Sequence, residues 1–213
     1  MLDIISAIRK LCENETGFVD LFDKRKSYPM LCDLVGNSSE LVLFSKLFYG
    51  RARSNLIKLI NDAYQYKKYS IDIINDLMHD GLTKSEAEIS LEIFLKAFGF
   101  LEYKNPKYSE ILEFVSYDKG NFKSIYKGET IDGKEYGTGI RNNYYNGKSC
   151  GWDKCVWIEG RMLGYCHSLD IEFEAYETQK YGFVLNDSYI GKYMTIYEDG
   201  EEGYMKGKTF ILE

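Results

Sequence analysis

Residues 126–139 read YKGETIDGKEYGTG, and this stretch decides the fold of the C-terminal part of the chain. In it, glycines follow an aromatic residue at fixed offsets: Tyr126, Gly128, Gly133, Gly137 and Gly139. Such spacing predicts backbone turns at regular intervals, which is typical of stacked β-hairpins. The other glycines agree with this interpretation, because residues 1–118 contain 5 of the 19 and residues 119–213 contain 14.

Further units of the pattern follow. A shift of 27 residues gives a second unit made of Trp157, Gly160, Gly164 and Cys166. A third unit is predicted to start at Tyr189, with Gly191 in its third place and Gly200 in its twelfth. Glycine permits the positive φ of hairpin turns and the close approach of strands, while aromatic residues stack from one unit to the next. The spacing therefore predicts a quasi-linear array.

These units resemble the MORN repeat, a hairpin motif of the pattern Tyr-x-Gly-x-Trp-x-x-Gly-x-x-x-Gly-x-Gly. The first unit matches every Tyr and Gly position and has Thr130 in place of the Trp. The resemblance implies an antiparallel hairpin sheet that contacts another protein, sometimes at a membrane. A variant form of the repeat occurs in bacterial antitoxin-like proteins, so the resemblance also implies an antitoxin, immunity or defence-associated adaptor.

The N-terminal part has the 3.6-residue apolar period of amphipathic helices from Leu2 to about Phe100. The start signals predict a helix with Pro29 in its first turn, and further helices capped by Asn37, Ser70 and Thr83. The last of these is the clearest, because Thr83-Lys84-Ser85-Glu86 is a capping box. The segment that it opens resembles the closing helix of a helical adaptor module that recurs beside repeat domains in bacterial multidomain proteins. That resemblance implies no catalytic residue.

We therefore expect a segregated α+β fold in which a helical bundle precedes an antiparallel β-hairpin repeat sheet. The predicted domains are a helical bundle over residues 1–104, a junction over residues 105–124 and a hairpin repeat domain over residues 125–213. Pro106 disfavours helix at the preceding residue and places the boundary in the junction. The pattern of Tyr108–Val115 allows a short helix there that docks the two parts.

Charge and composition limit the classes of partner. The net charge is −6, and no part of the chain is basic, since residues 1–118 carry 15 Lys and Arg against 18 Asp and Glu. Nucleic acids and anionic lipids are bound through clustered cations, so neither is expected as a partner. No apolar run approaches the length of a membrane span, and the first residues lack a secretory pattern. We therefore expect a cytoplasmic protein whose five cysteines are reduced, without disulfides.

Several side-chain patterns suggest chemistry. Cys150, Cys155, Cys166 and His167 are zinc-ligand types, but their spacing is not that of a zinc ribbon or finger. The only histidines are His79 and His167, so a Cys/His nucleophile pair would need one of them. Asp170, Glu172 and Glu174 alternate along one predicted strand and could serve acid–base work or hold a divalent cation. A half-solvated strand explains the same alternation, and we expect no metal, no cofactor and no catalytic residue.

Aromatic residues are concentrated in the C-terminal part, which holds both tryptophans and 11 of the 19 tyrosines. Tyrosine and tryptophan are frequent energetic anchors at interfaces. The interface candidates are Tyr144, Tyr145, Trp152, Trp157, Tyr189 and Tyr193. The sequence predicts a noncatalytic module that binds another protein. The alternatives are an enzyme that uses Asp170, Glu172 or His167 in a cleft between domains, and a peptide or glycan binder that uses the aromatic rows.

Overall fold

The computed structural model describes residues 2–14, 16–102, 109–116, 122–172 and 176–208, with the backbone alone for residues 109–116 and 172. Two compact units divide the described chain, one within residues 2–101 and one within residues 102–208. The first unit is helical and the second is a β-sheet, so the segregated α+β prediction is confirmed. In the described ranges no helix has the length and apolar character that crossing a bilayer requires.

The described residues of the first unit form seven α-helices and one 3-10 turn at Ala63–Gln65. The helices are α1 (Ile4–Leu11), α2 (Gly17–Asp20), α3 (Lys24–Val35), α4 (Ser39–Tyr49), α5 (Ala52–Asn61), α6 (Tyr66–His79) and α7 (Lys84–Ala97). Buried phenylalanines fill their core, including Phe18, Phe44, Phe48, Phe94 and Phe98. Their rings meet edge-on or tilted, with the Phe18 and Phe98 centroids 5.1 Å apart.

A local capping box sets the start of α7, and an arginine far away in the sequence hydrogen-bonds to its C-terminal end. Thr83 and Glu86 form the predicted capping box, with the Thr83 backbone N–H donating to Glu86 Oε2 at 2.8 Å. At the other end, the buried Arg9 of α1 donates to the carbonyl oxygens of Ala97 and Lys96 at 3.2 and 3.3 Å. A guanidinium there satisfies carbonyls that have no partner within the helix and complements its negative end.

The second unit is one antiparallel sheet, in which the eight described strands pair in chain order. The strands are β1 (Ser109–Ser116), β2 (Phe122–Ile131), β3 (Lys134–Tyr145), β4 (Lys148–Ile158), β5 (Arg161–Glu172), β6 (Tyr176–Leu185), β7 (Ser188–Tyr197) and β8 (Glu202–Lys206). Residues 103–108 and 117–121 of the predicted junction lie outside the described residues. The prediction of a short helix at Tyr108–Val115 is wrong, because residues 109–116 form a strand that pairs with β2 along its whole length. The sheet thus begins before the predicted boundary at residue 125.

The sheet repeats every 27 residues, and each repeat is one hairpin. Two-residue turns occur at Asp132–Gly133, Glu159–Gly160 and Asn186–Asp187, and every turn residue has a φ between 48° and 82°. Positive φ at both central residues defines the type I′ turn, whose twist matches that of paired strands. Gly137, Gly164 and Gly191 keep the same spacing, with φ of 61°, 95° and 66°.

The 27-residue shift between the first two predicted units therefore equals the spacing between successive hairpins. The predicted alignment of the third unit is wrong. Gly191 occupies the twelfth place, equivalent to Gly137 and Gly164, rather than the third. The hairpin containing it starts on β6, before Tyr189, and Gly200 belongs to the β7–β8 turn.

Candidate interaction surface

The strand register divides the side chains of β2–β7 between two faces of the sheet. One face, named here the core face, carries the buried cluster of Tyr126, Cys155, Trp157, Cys166 and Val184. The other face, where it crosses the middle of the strands, carries two rows of residues that are half-buried or exposed. The predicted site residues of β2–β7 whose side chains are described can be placed by this division.

Tyr126 anchors the first hairpin from inside. Its ring is fully buried, and its hydroxyl lies 2.9 Å from the Glu129 carbonyl oxygen and 3.1 Å from that of Tyr136. A Cβ added to Gly139 would lie 2.2 Å from that hydroxyl oxygen. The Tyr and Gly positions of the repeat are thus linked physically, because the ring occupies the space that a side chain at residue 139 would need.

Trp157 also belongs to the core face. It has no exposed surface, and its ring meets Tyr126 edge-on at a centroid distance of 5.8 Å. Its Nε1 donates to the Gly139 carbonyl oxygen at 3.3 Å, and the Arg141 guanidinium lies 4.0 Å from the ring centroid. These contacts show that the aromatic residue at this position of the repeat serves to pack the core face. Burial leaves Trp157 no surface for a partner.

Cys155 and Cys166 form a disulfide between β4 and β5, so the prediction of reduced cysteines without disulfides is wrong. Their Cα atoms are 4.6 Å apart, which is the separation of a non-hydrogen-bonded pair on antiparallel strands. Because both sulfurs are in the disulfide, neither cysteine is available as a thiolate ligand for the zinc site considered from the sequence. His167 follows Cys166 in β5 and therefore points to the opposite face.

The predicted interface candidates Tyr189 and Tyr193 stack on each other on the core face, with ring centroids 4.4 Å apart. The Tyr189 hydroxyl and Ser168 Oγ are 2.7 Å apart, and burial raises the pKa of the Tyr189 phenol. The Tyr189 ring and the Tyr193 Cβ lie against Gly182, where an added Cβ would meet them at 3.0 and 2.5 Å. Each tyrosine keeps part of its surface exposed.

The core face becomes polar toward the Asn146–Gly147 turn. Asp153 accepts a hydrogen bond from Asn143 Nδ2 at 3.1 Å, and Asp170 pairs with Lys180. Burial raises the pKa of Asp153, and the nearby Asp170 carboxylate raises it further. Asp170 and His167 lie on opposite faces of β5, so the structure does not bring these two proposed catalytic residues together. The side chain of Glu172 and the whole of Glu174 lie outside the described residues.

The middle of the opposite face carries twelve residues, two from each of β2–β7, and we call them the strip. One row is set by direct pairing across the six strands: Lys127, Ile140, Lys154, His167, Tyr181 and Met194. The row beside it is set in the same way: Ile125, Asn142, Trp152, Leu169, Gln179 and Ile196. None of the twelve, all of which the structure describes, is buried.

Aromatic rings in the strip contact one another. The Trp152 indole meets the His167 imidazole edge-on at a centroid distance of 4.6 Å, and the imidazole stacks on Tyr181 at 4.0 Å. Tyr181 donates to Gln179 Oε1 at 2.7 Å, and His167 Nε2 lies 3.2 Å from the same oxygen. That amide oxygen accepts from both groups, which favours the imidazole tautomer with its proton on Nε2. The contacts hold three half-exposed rings in a fixed arrangement.

The imidazole behaves as a neutral aromatic ring. Burial lowers the pKa of His167, and the nearby Lys154 ammonium lowers it further, while the contact with Gln179 acts in the opposite direction. With an ordinary value near 6.5, this shift leaves the ring uncharged at neutral pH. An uncharged imidazole stacks on a phenol without exposing a second cation next to Lys154. The positive charges of the strip at pH 7 are therefore those of its two lysines.

Of the remaining interface candidates, Trp152 and Tyr144 lie on the face that carries the strip, and Tyr145 lies on the other face. Trp152 is a member of the strip, and Tyr144 is half-buried on the same face, where it pairs with Lys123. Tyr145 is 50% exposed at the end of β3, and its side chain alternates to the core-face side. The contributions of His167 and Tyr181 to an aromatic surface were not evident from the sequence. Their place beside Trp152 can be recognised only when each 27-residue period is divided into its two strands, because strand pairing then aligns residues 152, 167 and 181 on one face.

A comparison with protein-family models and a search of curated proteins give no match to this chain.

Proposed function

We propose that the C-terminal sheet is a noncatalytic protein-interaction module built as a MORN-like hairpin array. The observation that carries this proposal is the ring ladder of Trp152, His167 and Tyr181, which stays half-exposed although neighbouring parts of the sheet are buried. Ordered, partly exposed aromatic rings supply contact area at low cost in side-chain entropy, and they are common anchors in protein interfaces. The division of faces supports the same proposal, because the repeat residues stabilise the sheet from the core face.

The enzymatic alternative lacks a supporting observation among the described residues. Its candidates His167 and Asp170 project from opposite faces, and Asp170 is engaged by Lys180. In the described part of the chain, no three His, Cys, Asp or Glu side chains group as metal ligands. The sharper prediction of an antitoxin, immunity or defence-associated adaptor stays a prediction, and so does the cytoplasmic location.

The test is affinity capture with the full chain from cells of its native host, followed by quantitative mass spectrometry. We expect at least one protein to be retained by the wild-type chain and lost with Trp152→Ala or Tyr181→Ala. The matched control is Tyr176→Ala, since Tyr176 is 69% exposed and lies outside the strip. If no protein is retained above background by any form of the chain, the proposal is refuted.

A further inference from the structure

The strip lacks negative charge in a chain that is rich in it. The protein contains 33 Asp and Glu residues, yet none of the twelve strip positions, each with a described side chain, is a carboxylate. The corresponding rows of the core face include Asp153 and Asp170. The second row continues on the same face to Glu113 of β1 and Glu202 of β8, so the register places acidic residues at the two ends of the strip and none within it.

Two lysines give the strip its positive charge. Lys127 and Lys154 are exposed, and none of the ion pairs formed by the described side chains includes either of them. They stand in one row on β2 and β4 with Ile140 between them, so their strands are about 10 Å apart. By contrast, Lys180 on the core face is neutralised by Asp170. The strip thus combines two lysines that form no ion pair with a described side chain and a surface of apolar and aromatic residues.

We infer that the strip binds an acidic segment of another protein that also carries an aromatic or aliphatic side chain. In the complex, carboxylates of the segment lie near Lys127 and Lys154, and its apolar side chain packs on the Trp152–His167–Tyr181 ladder. Complementary charge selects the partner and speeds association, while the ladder supplies the desolvated contact. This inference rests on the proposed function and adds the chemistry of the partner and the surface that receives it.

An acidic protein segment fits this surface better than a nucleic acid does. Specific nucleic-acid binding draws on several phosphate contacts at once, and the strip offers two lysines and an uncharged His167. The net charge of −6 would also repel a polyanion at long range. A short acidic segment needs only local complementarity, so the surrounding charge opposes it less.

The test uses a random-sequence peptide library displayed on phage and selected against the full-length protein. We expect the enriched peptides to combine Asp or Glu with aromatic or aliphatic residues. An enriched peptide, made synthetically, should shift the emission of Trp152, which is half-exposed, whereas Trp157 is fully buried. Its affinity should fall by roughly tenfold or more with Lys154→Glu and with Trp152→Ala, and it should weaken with rising salt.

The matched control is Lys67→Glu, because Lys67 is an exposed lysine of α6 and the substitution makes the same change in net charge. Unchanged circular dichroism and an unchanged urea unfolding midpoint would show that each variant is folded. The inference is overturned if no peptide is enriched, if the enriched peptides are neutral or basic, or if acidic peptides bind the strip variants as tightly as wild type. It is also overturned if single-stranded oligo(U) RNA binds and Lys154→Glu abolishes that binding. A protein captured equally well by wild type and strip variants would overturn this inference and leave the proposed function standing.

Discussion

Substitution of Gly139 by alanine tests the physical link between the glycine and tyrosine positions of the repeat. An added Cβ would lie 2.2 Å from Tyr126 Oη and 2.3 Å from the Cε2 and Cζ atoms of the same ring. Comfortable contacts between such atoms are about 3.5–4.0 Å, so the ring would have to move by more than about 1 Å. The ring is fully buried and packs edge-on against Trp157, so a movement of this size disturbs the surrounding core.

The magnitude follows from two contributions. Overpacking of a well-packed core destabilises by about 1–3 kcal/mol. A displaced Tyr126 also loses its hydroxyl contacts with the carbonyl oxygens of Glu129 and Tyr136, and a lost hydrogen bond costs about 0.5–1.5 kcal/mol. We therefore expect Gly139→Ala to lower the free energy of unfolding of the sheet by about 2–4 kcal/mol.

The assay is urea unfolding followed by tryptophan fluorescence, which reports on the sheet because both tryptophans, Trp152 and Trp157, are in it. The key comparison is a double-mutant cycle with Tyr126→Leu, which removes the atoms that the new methyl group would meet. In that background Gly139→Ala should cost little, and the coupling should account for most of the single-variant effect. Equal costs in the Tyr126 and Leu backgrounds would refute steric exclusion as the reason for the glycine.

Three further perturbations test other parts of the structure. Reduction of the disulfide between Cys155 and Cys166 should destabilise the sheet by about 3 kcal/mol, because the unfolded chain gains conformational entropy when the loop is no longer closed. Urea unfolding with and without reductant measures this difference. The raised pKa of Asp153 means that its contribution is fully present below the ordinary value of 3.8 and is lost as pH rises through the folded-state pKa. Asp153→Asn, which can still accept from Asn143, should therefore flatten that part of the stability–pH profile and raise the melting temperature at neutral pH; an unchanged profile would contradict this. Arg9→Met should destabilise the helical unit by about 1.5–3 kcal/mol, because it removes the charged donor of the Ala97 and Lys96 carbonyl oxygens at the end of α7. Urea unfolding followed by far-ultraviolet circular dichroism measures this loss.

The sequence predicts the fold class because the decisive signals are local. The capping box at Thr83 fixes a helix start through contacts within four residues. The turn at Asp132–Gly133 fixes a hairpin in the same way, since both residues take the positive φ that this dipeptide favours. Signals of this kind act on the backbone and do not depend on distant packing. They also distinguish the helical part from the sheet before any contact between elements is known.

Three helix starts were harder to place because competing local signals stand close together. α3 begins at Lys24 with Asp23 as its cap, and Pro29 lies inside the helix instead of in its first turn. The cap of α4 is Ser38, whose side chain accepts from the Leu41 backbone, and not the neighbouring Asn37. Ser70 is inside α6 and donates to the Tyr66 carbonyl oxygen. Each prediction relied on a residue type that favours a helix start in isolation, while the observed helix starts at another residue nearby.

The strip was only partly accessible to sequence reasoning. Trp152 stood out as an aromatic candidate, but its ladder partners His167 and Tyr181 are separated from it along the chain and meet it only through strand pairing. Residues 140, 154, 167, 181 and 194 of one row are spaced alternately by 14 and 13 residues. The glycines reveal the 27-residue period, but they do not show how the period divides into 14 and 13 residues on the two strands of a hairpin.

From one repeat to the next, the backbone turns recur more closely than the side chains do. This explains why the third unit was misaligned. The positions that face each other near the middle of each hairpin are filled in three ways: Gly128 with Gly139, Cys155 with Cys166, and Gly182 with Tyr193. In the first hairpin the Tyr126 ring covers a pair without side chains, and in the second a disulfide fills the equivalent space. Turns with positive φ recur unchanged because the path of the chain requires them, whereas any filling that restores close packing is compatible with that path. An alignment based on aromatic residues therefore loses the period once the filling changes, and one based on the turns retains it.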